Sequence, residues 1–278
     1  MRDEIERVAE ASGARVWLHA RNLDGENEMG IDADAPVVLA STFKIPVLIE
    51  LARQSDAGRV SLTDRIAVPA SRRTDGPTGL SVMLDDANLS VRDLAFLMMS
   101  VSDNTATDVL MELLGGAERI NATMKEIGSE ETHLLGDCKF LLDDLGAQLG
   151  DGPPRACPAL EPSGTNRSTP RAMTRLLAMI WHDEAASADA CAAMRRIMGL
   201  QVWPHRLTSG FGDGVTLSAK TGTLPGIRNE AGVIEFADGG RYAVAVYTRA
   251  RSFDSRLPAV DAAIGTIARL AIEALNSD

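Results

Sequence analysis

The sequence predicts an α+β fold, in which an antiparallel sheet is flanked by terminal helices and an all-helical lobe is inserted between the two sheet-forming ends. Strand patterns concentrate near the two ends, the centre has helical periodicity, and 278 residues suffice for one large core. We expect a single domain over residues 1–278, with an α/β lobe at about 1–35 and 205–278 and a helical lobe at about 36–204. The cleft between the lobes is the expected ligand site.

The amino-terminal segment predicts a helix and then a strand. Residues 3–12 carry apolar side chains at helical spacing, and Gly13 suits the left-handed residue that ends many helices. Residues 14–21 have strand character and run into turn-forming residues at 22–25.

The centre of the chain predicts helices. Residues 42–53 are apolar almost all round, which is typical of a buried helix, and Pro46 requires that this helix begin near Thr42. A capping box at Ser90 and the pair Thr169-Pro170 predict two further helix starts.

Two more helices and one long loop complete the centre. One helix is expected from about Thr105 to the pair Gly115-Gly116, and another from 117 to 128. Residues 137–168 are rich in Pro and Gly and are predicted mostly as a long functional loop.

The carboxyl-terminal part predicts strands and a last helix. Residues 216–219, 231–236 and 241–248 have strand character, and Asp238-Gly239-Gly240 predicts a hairpin between the last two. Residues 259–275 have the apolar spacing of an amphipathic helix.

The composition narrows the functional classes. A net charge of −11 disfavours binding to nucleic acid or to an anionic membrane. No apolar run approaches the roughly 20 residues of a membrane span, and no signal-peptide pattern is visible. We therefore expect a monomer that acts on a small molecule and is cytoplasmic, or periplasmic or secreted if the chain is a processed mature form.

Cysteine and histidine spacing predicts neither a disulfide framework nor a metal site. Cys138, Cys157 and Cys191 are odd in number and lack Cys-x-x-Cys spacing, and the four histidines are scattered. We expect no metal and no cofactor.

The first chemical motif is Ser41-Thr42-Phe43-Lys44, at the predicted start of the buried helix. A side chain at i+3 lies on the same helix face, so Lys44 is expected beside Ser41. A serine hydroxyl attacks when a neighbouring base removes its proton, and burial favours the neutral amine of a lysine. The alternative is a helix cap followed by a surface lysine.

The second motif, Ser102-Asp103-Asn104, lies between two predicted helices. Ser102 could relay a proton, and Asn104 could donate its amide to a substrate carbonyl. The alternative is that Ser102 or Asp103 only caps the following helix.

The third motif, Lys220-Thr221-Gly222, ends a predicted strand. A lysine there could attract a substrate carboxylate, and glycine permits a close backbone approach. An ordinary strand end is the alternative.

In this order, the three motifs resemble the signature of class A β-lactamases and penicillin-binding proteins. The similarity extends from about Arg15 to the carboxyl end and includes residues 41–48, 102–107, 168–171 and 228–230. It implies a metal-free serine hydrolase that acts through a covalent acyl-enzyme, in practice on the amide of a β-lactam.

The resemblance also implies roles for single residues. Ser41 would be the nucleophile and Lys44 its base partner, with Ser102 as proton relay and Asn104 as orienter. The oxyanion hole would use the backbone N–H groups of Ser41 and Thr223.

Substrate binding would fall to the Lys-Thr-Gly strand. The residues that this resemblance places against the substrate carboxylate region are Lys220, Thr221, Gly222 and Thr223. Arg228 either assists carboxylate binding or forms a structural ion pair, since it lies one residue closer to Lys-Thr-Gly than the usual arginine of the family.

One element of the family pattern is missing. The glutamate of a Glu-x-x-Leu-Asn element activates the deacylating water, and the pattern places it near position 138, where this chain has Cys138. We take Glu161 as the catalytic carboxylate, although Ser-Gly-Thr-Asn follows it after Pro162. The other candidates are Asp137, Asp143 and Asp144, and each of the four could instead be a solvated loop residue.

This gap leaves the outcome of the reaction open. The alternatives to a β-lactamase are a D,D-peptidase or esterase-type serine hydrolase, and a β-lactam-binding protein whose acyl-enzyme persists.

Overall fold

The computed structural model describes residues 1–149 and 157–277 and confirms the predicted α+β fold. In chain order, the helices span Arg2–Ser12 (α1), Lys44–Asp56 (α2), Val91–Ser100 (α3), Asn104–Leu114 (α4), Gly116–Glu126 (α5), Cys138–Leu149 (α6), Pro170–Trp181 (α7), Ala188–Met198 (α8) and Pro258–Leu275 (α9). The strands span Ala14–Asn22 (β1), Glu28–Ile31 (β2), Val37–Val38 (β3), Arg65–Val68 (β4), Ala87–Ser90 (β5), Arg167–Ser168 (β6), Val215–Leu224 (β7), Ile227–Phe236 (β8) and Arg241–Ala250 (β9).

Five strands form one antiparallel sheet in the order β2-β1-β9-β8-β7. The predicted hairpin at 238–240 joins β8 to β9, and Gly239 supplies the positive φ of 97° that this turn requires. Within this sheet, β7 pairs only with β8, so the other edge of β7 is open to a ligand.

Each face of the sheet has its own apolar core. The helices α1 and α9 cover one face, where Ile5, Val244 and Ile267 are completely buried. The helix α7 lies against the other face, where Met173 and Tyr247 join a core shared with the helical lobe. Full burial of one such apolar side chain contributes about 1.5–3 kcal/mol to folding.

The helix α2 lies at the centre of the helical lobe. Ten of its 13 residues are buried, as the apolar run predicts. Its one buried carboxylate, Glu50, accepts hydrogen bonds from Gln54 Nε2 at 2.7 Å and from Arg119 Nε at 3.0 Å, which offset the cost of burying the charge.

Local capping chemistry accounts for several helix ends. The hydroxyl of Ser90 accepts the N–H of Asp93 at 3.1 Å, and that of Thr169 accepts the N–H of Ala172 at 3.1 Å. Gly115 ends α4 with a φ of 96°. These three predicted boundaries are confirmed.

Two predictions about the centre need correction. The chain forms a 3₁₀ turn over Ala40–Phe43 before α2 begins at Lys44, and Pro46 lies in the first turn of α2, where its missing N–H costs nothing. The predicted long loop at 137–168 contains the helix α6, because carboxylates outside and inside the segment cap its first turn.

Over the two described ranges, 1–149 and 157–277, no helix combines the length and the apolar character needed to cross a lipid bilayer.

Candidate active site

Ser41 lies in the 3₁₀ turn that connects β3 to α2 and faces a cleft of about 990 Å³. Its side chain is half-buried, and its hydroxyl forms no hydrogen bond with any described residue. Its N–H belongs to the first turn, where backbone donors have no carbonyl partner inside the helix. Both groups are therefore open to a ligand.

Lys44, the first residue of α2, directs a buried amine at the loop that carries Ser102. Its Nζ donates to the carbonyl oxygen of Ser102 at 2.8 Å and to Asn104 Oδ1 at 3.0 Å, and it lies 3.2 Å from Ser102 Oγ. Burial lowers the pKa of Lys44, whereas the nearby Cys138 thiol and Asp108 carboxyl raise it. The amine is not hydrogen-bonded to Ser41 among the described groups, so direct contact between the two side chains stays a prediction.

The Ser102 loop has an uncommon backbone conformation. Ser102 has a φ of 63°, in the left-handed region that costs a non-glycine residue about 1–3 kcal/mol. Asp103 holds the loop in place, because one carboxylate oxygen caps α4 at the N–H of Ala106 (3.0 Å) and the other accepts the N–H of Leu80. Asp103 therefore caps α4, as one of the two alternatives for this motif proposed.

The Lys-Thr-Gly motif lies on β7, on the opposite wall. Lys220 is completely buried, and its Nζ donates to the carbonyl oxygen of Thr221 at 2.9 Å. Burial, and then the charge of Lys44, hold the pKa of Lys220 well below its ordinary value, and the Glu230 carboxyl opposes this shift. Thr221 and Thr223 line the same cleft as Ser41, Ser102 and Asn104.

Gly222 allows β7 to approach the serine turn. A Cβ at this position would lie 2.7 Å from the carbonyl oxygen of Leu39, 3.1 Å from the Cβ of Ala40 and 3.2 Å from the backbone nitrogen of Ser41. No side chain fits between the two walls, which explains the glycine in physical terms.

Arg228 is buried, and its guanidinium is occupied by backbone oxygens. Its Nη1 donates to the carbonyls of Leu224 at 3.0 Å and Ile227 at 2.9 Å, and its Nη2 to those of Asp254 at 3.4 Å and Ser255 at 2.9 Å. All four terminal N–H groups therefore have protein acceptors. This arrangement favours the structural role over carboxylate binding.

A second arginine, Arg206, was not among the predicted site residues. Its guanidinium donates to the carbonyls of Gly222 (2.9 Å) and Asn229 (2.8 Å), to Asp261 Oδ1 (2.7 Å) and to Thr223 Oγ1 (2.8 Å). One N–H of Nη2 keeps no protein acceptor among these contacts. No local sequence pattern marks this residue, because its partners lie 16 to 55 positions away.

The structure does not bring Glu161 to the cleft. Its carboxylate lies 3.3 Å from Arg249 Nη2 and lines a separate cavity with Trp17 and Val38, and its side chain is 59% exposed. The position of Glu161 gives no support to the catalytic role expected from the sequence, since Glu161 and its partner Arg249 line that separate cavity and not the cleft of Ser41.

Two other candidate carboxylates also have structural partners. Asp137 Oδ1 accepts the N–H of Phe140 at 2.8 Å and so caps α6, and Asp143 forms an exposed ion pair with Lys139 at 2.8 Å. Asp144 lies within α6.

Cys138 occupies the start of α6, close to the amine of Lys44. Its thiol is buried, and burial raises its pKa to about 12. Behind it, Asp108 accepts the N–H groups of Cys138 at 2.7 Å and Lys139 at 2.9 Å and the hydroxyl of Thr74 at 2.7 Å. Asp108 therefore holds the helix start, and its pKa is raised mainly by burial.

The rest of the cleft is mixed in character. Leu142 of α6 and the aromatic rings of Trp203 and His205 line it beside the polar groups. Among residues 1–149 and 157–277, no three His, Cys, Asp or Glu side chains are grouped so that they could hold a metal ion.

Comparison with known proteins agrees with this geometry. The sequence model of a family described as "Beta-lactamase enzyme family" matches residues 1–275. The "Beta-lactamase regulatory protein BlaB" of Streptomyces cacaoi is 31% identical over 96% of this chain and 94% of its own length.

Solved structures show the same fold. A β-lactamase from Sphaerobacter thermophilus DSM 20745 superposes with a TM-score of 0.82 at 31% identity and covers 99% of this chain and 96% of its own. A point mutant of PBP-A, solved as an acyl-enzyme complex with penicillin G, has a TM-score of 0.82 at 24% identity and covers 98% and 96% of the two chains. With the family match over nearly the whole sequence, this chain belongs to the β-lactamase enzyme family and is a serine β-lactamase-like hydrolase.

Proposed function

We propose that this protein opens the amide bond of β-lactams by forming an acyl-enzyme on Ser41 and that it releases the acyl group slowly. One observation carries the proposal: the buried amine of Lys44 is hydrogen-bonded to Ser102 and Asn104, which line the same cleft as Ser41. The cleft is polar where the bond would break and open enough for a small molecule.

Acylation needs a base, and Lys44 is suited to be one. Burial lowers its pKa from the ordinary value, and this shift favours the neutral amine that a base requires. The Ser41 oxygen attacks the carbonyl carbon, and a new C–O bond forms while the amide C–N bond breaks. The proton leaves Ser41 for Lys44, and Lys44 returns a proton through the hydroxyl of Ser102, 3.2 Å from Nζ, to the departing nitrogen, so both side chains regain their starting protonation.

Backbone N–H groups on the two walls would stabilise the negative charge on the carbonyl oxygen. The N–H of Ser41 is free in its 3₁₀ turn, and Thr223 lies on the unpaired edge of β7. Gly222 holds these two walls close together.

The carboxylate of a β-lactam would bind along β7. Thr221 and Thr223 supply hydroxyls, and Arg206 has an N–H to spare beside Thr223 Oγ1. Lys220, buried next to Thr221, adds positive charge when it is protonated, and burial and the charge of Lys44 hold its pKa well below the ordinary value. We assign Arg228 to holding the chain around residues 254–255 rather than to the substrate.

We expect slow release of the acyl group because the residue near Lys44 at the expected glutamate position is Cys138. The position expected to hold a glutamate carries the Cys138 thiol, whose pKa burial raises to about 12. The thiol therefore stays protonated near neutral pH and cannot accept a proton from water. Asp108 lies behind it, and both of its oxygens are occupied by N–H and hydroxyl donors.

A regulatory β-lactam-binding protein is the second candidate. The printed name of the Streptomyces cacaoi relative describes a regulatory protein, and a long-lived acyl-enzyme would suit a sensor better than a defence enzyme. Hydrolysis of a related ester or D,D-peptide by the same residues is the remaining alternative. That the protein works as a monomer and without nucleic acid stays a prediction.

Intact-mass analysis with benzylpenicillin and turnover of a chromogenic cephalosporin separate these functions. We expect a mass increase of one penicilloyl group that persists for minutes, together with slow cephalosporin turnover, and neither in Ser41→Ala. Fast turnover without an adduct would identify an efficient lactamase and contradict slow release. Ester cleavage without any reaction with either β-lactam would refute the proposed substrate class.

A further inference from the structure

Two side chains behind the Lys-Thr-Gly strand have no role in the reaction described above. We propose that Gln201 and Glu230 are positioning residues: together they fix the substrate-facing edge of β7. This inference rests on the proposed function, because it concerns the wall that binds the substrate. Neither residue is in contact with the reacting atoms.

A chain of short hydrogen bonds connects the two residues to β7. Gln201 Oε1 accepts the backbone N–H of Thr221 at 2.6 Å, and Gln201 Nε2 donates to Glu230 Oε1 at 2.6 Å. The second carboxylate oxygen of Glu230 accepts the N–H of Leu207 at 2.6 Å. The carboxylate is completely buried, so these bonds form in a low-dielectric interior, where they are strong.

The hydrogen bond from the Thr221 N–H to Gln201 shows which way the N–H of Thr223 points. Thr221 directs its N–H away from β8, toward Gln201. Backbone groups alternate sides along a strand, so the N–H of Thr223 faces the same open edge. Gln201 therefore holds the strand two residues from the proposed oxyanion donor.

Glu230 also acts on Lys220 by charge. The groups that influence the Lys220 amine are Lys44 from α2, Arg206 from the segment before β7, Cys138 from α6 and Glu230 from β8. Lys44 and Arg206 disfavour the charged amine, and the ionised Glu230 carboxyl favours it. Burial raises the pKa of Glu230 itself, and the hydrogen bonds from the Leu207 N–H and from Gln201 oppose that shift. Without Glu230, Lys220 would lose its proton at lower pH and bind an anionic substrate less well.

The chain has only four lysines, which allows a direct test. In protein labelled with ¹³C at lysine Cε, the Lys220 resonance is assigned by Lys220→Arg and titrated between pH 6 and 11. We expect Glu230→Gln to move the Lys220 titration to lower pH by about one unit. This readout does not depend on acylation, and a residue with a purely structural role would leave it unmoved.

The second readout is the rate constant of Ser41 acylation by benzylpenicillin. We expect Gln201→Met, which keeps the volume and removes both hydrogen bonds, to lower the maximal acylation rate about tenfold. As the pH is raised, the apparent affinity for benzylpenicillin should begin to fall at a lower pH in Glu230→Gln than in the wild type, by the same shift as the Lys220 titration.

The helical lobe provides a matched control pair. Gln54 Nε2 donates to the buried carboxylate of Glu50 at 2.7 Å, in the same chemical arrangement but outside the cleft. Gln54→Met and Glu50→Gln should leave both the Lys220 titration and the acylation rate at wild-type values. The rate is normalised to the folded fraction of each variant, which is determined by circular dichroism.

The outcomes separate the two proposals. If the wild type is acylated but the Lys220 titration and the acylation rate are unchanged in Glu230→Gln and Gln201→Met, the positioning role is refuted. If the wild type is not acylated at all, the proposed function fails. The Lys220 titration then still decides whether Glu230 balances its charge.

Discussion

Replacement of Gly222 by alanine tests whether the closeness of the two walls matters for the reaction. The added methyl group would lie 2.7 Å from the carbonyl oxygen of Leu39, whereas carbon and oxygen atoms normally stay about 3.4 Å apart. To accommodate it, β7 and the serine turn must separate by roughly 0.7 Å. The separation would move Thr223 away from Ser41 without removing any catalytic group.

The magnitude follows from that displacement. A misplacement of about 1 Å costs roughly 100-fold in rate, so a shift of roughly 0.7 Å should lower the acylation rate about 10- to 50-fold. The loss corresponds to about 1.4–2.3 kcal/mol of transition-state stabilisation. Folding stability should also fall, because the forced separation of two packed backbone segments costs about 1–3 kcal/mol, of which the lower conformational entropy of alanine offsets about 0.5–1 kcal/mol.

The assay is the second-order rate constant of acylation by benzylpenicillin, followed by intact mass, with thermal unfolding measured in parallel. Gly212→Ala is the matched control, because a Cβ there meets no atom within 4 Å. Wild-type acylation in Gly222→Ala would refute the reasoning. An equal loss in Gly212→Ala would show that the effect is not local.

Three further predictions concern the proton chemistry. Burial lowers the pKa of Lys44, and the neutral amine is the base, so the acylation rate constant should rise with pH until the pKa of Lys44, below 10.5, is passed. Lys44→Arg should abolish the reaction, because arginine stays protonated. A pH-independent rate constant would contradict this prediction. Cys138→Glu places a carboxylate beside that amine and should shorten the lifetime of the acyl-enzyme about 100-fold, seen as faster loss of the mass adduct; an unchanged lifetime would oppose the account. Glu161→Gln should leave adduct formation and loss at wild-type rates and change the free energy of unfolding by less than about 0.5 kcal/mol, since its ion pair with Arg249 is largely exposed; slower adduct loss would restore its catalytic role.

Local sequence patterns predicted most of the fold. The capping residues Ser90 and Thr169, the glycine at 115 and the hairpin at 238–240 act through neighbours in the chain, so their effect is visible without a structure. The buried helix α2 was also predicted from a local pattern, because apolar side chains occur almost all round the helix.

The helix α6 could not be predicted from local patterns. Four prolines and three glycines lie at 150–164, in the second part of the 137–168 segment, and favour a loop. The groups that hold the helix start include Asp108, which lies 30 positions before Cys138 in the chain. A cap of this kind is a tertiary contact and leaves no mark in the local sequence.

The candidate site shows the same division. The serine, lysine and asparagine motifs stand out by their spacing, and the structure brings Lys44, Ser102 and Asn104 within hydrogen-bonding distance. Arg206 and Gln201 are isolated residues in an irregular segment, and they become part of the site only because β7 folds against it. Long-range packing, rather than composition, determines which polar residue is functional.

Peptide mapping of the protein after brief exposure to benzylpenicillin tests the central claim most directly. We predict one penicilloyl group on the peptide that contains Ser41, and loss of that adduct in both Ser41→Ala and Lys44→Arg. An adduct on another residue, or unchanged β-lactam opening by Ser41→Ala, would contradict the account.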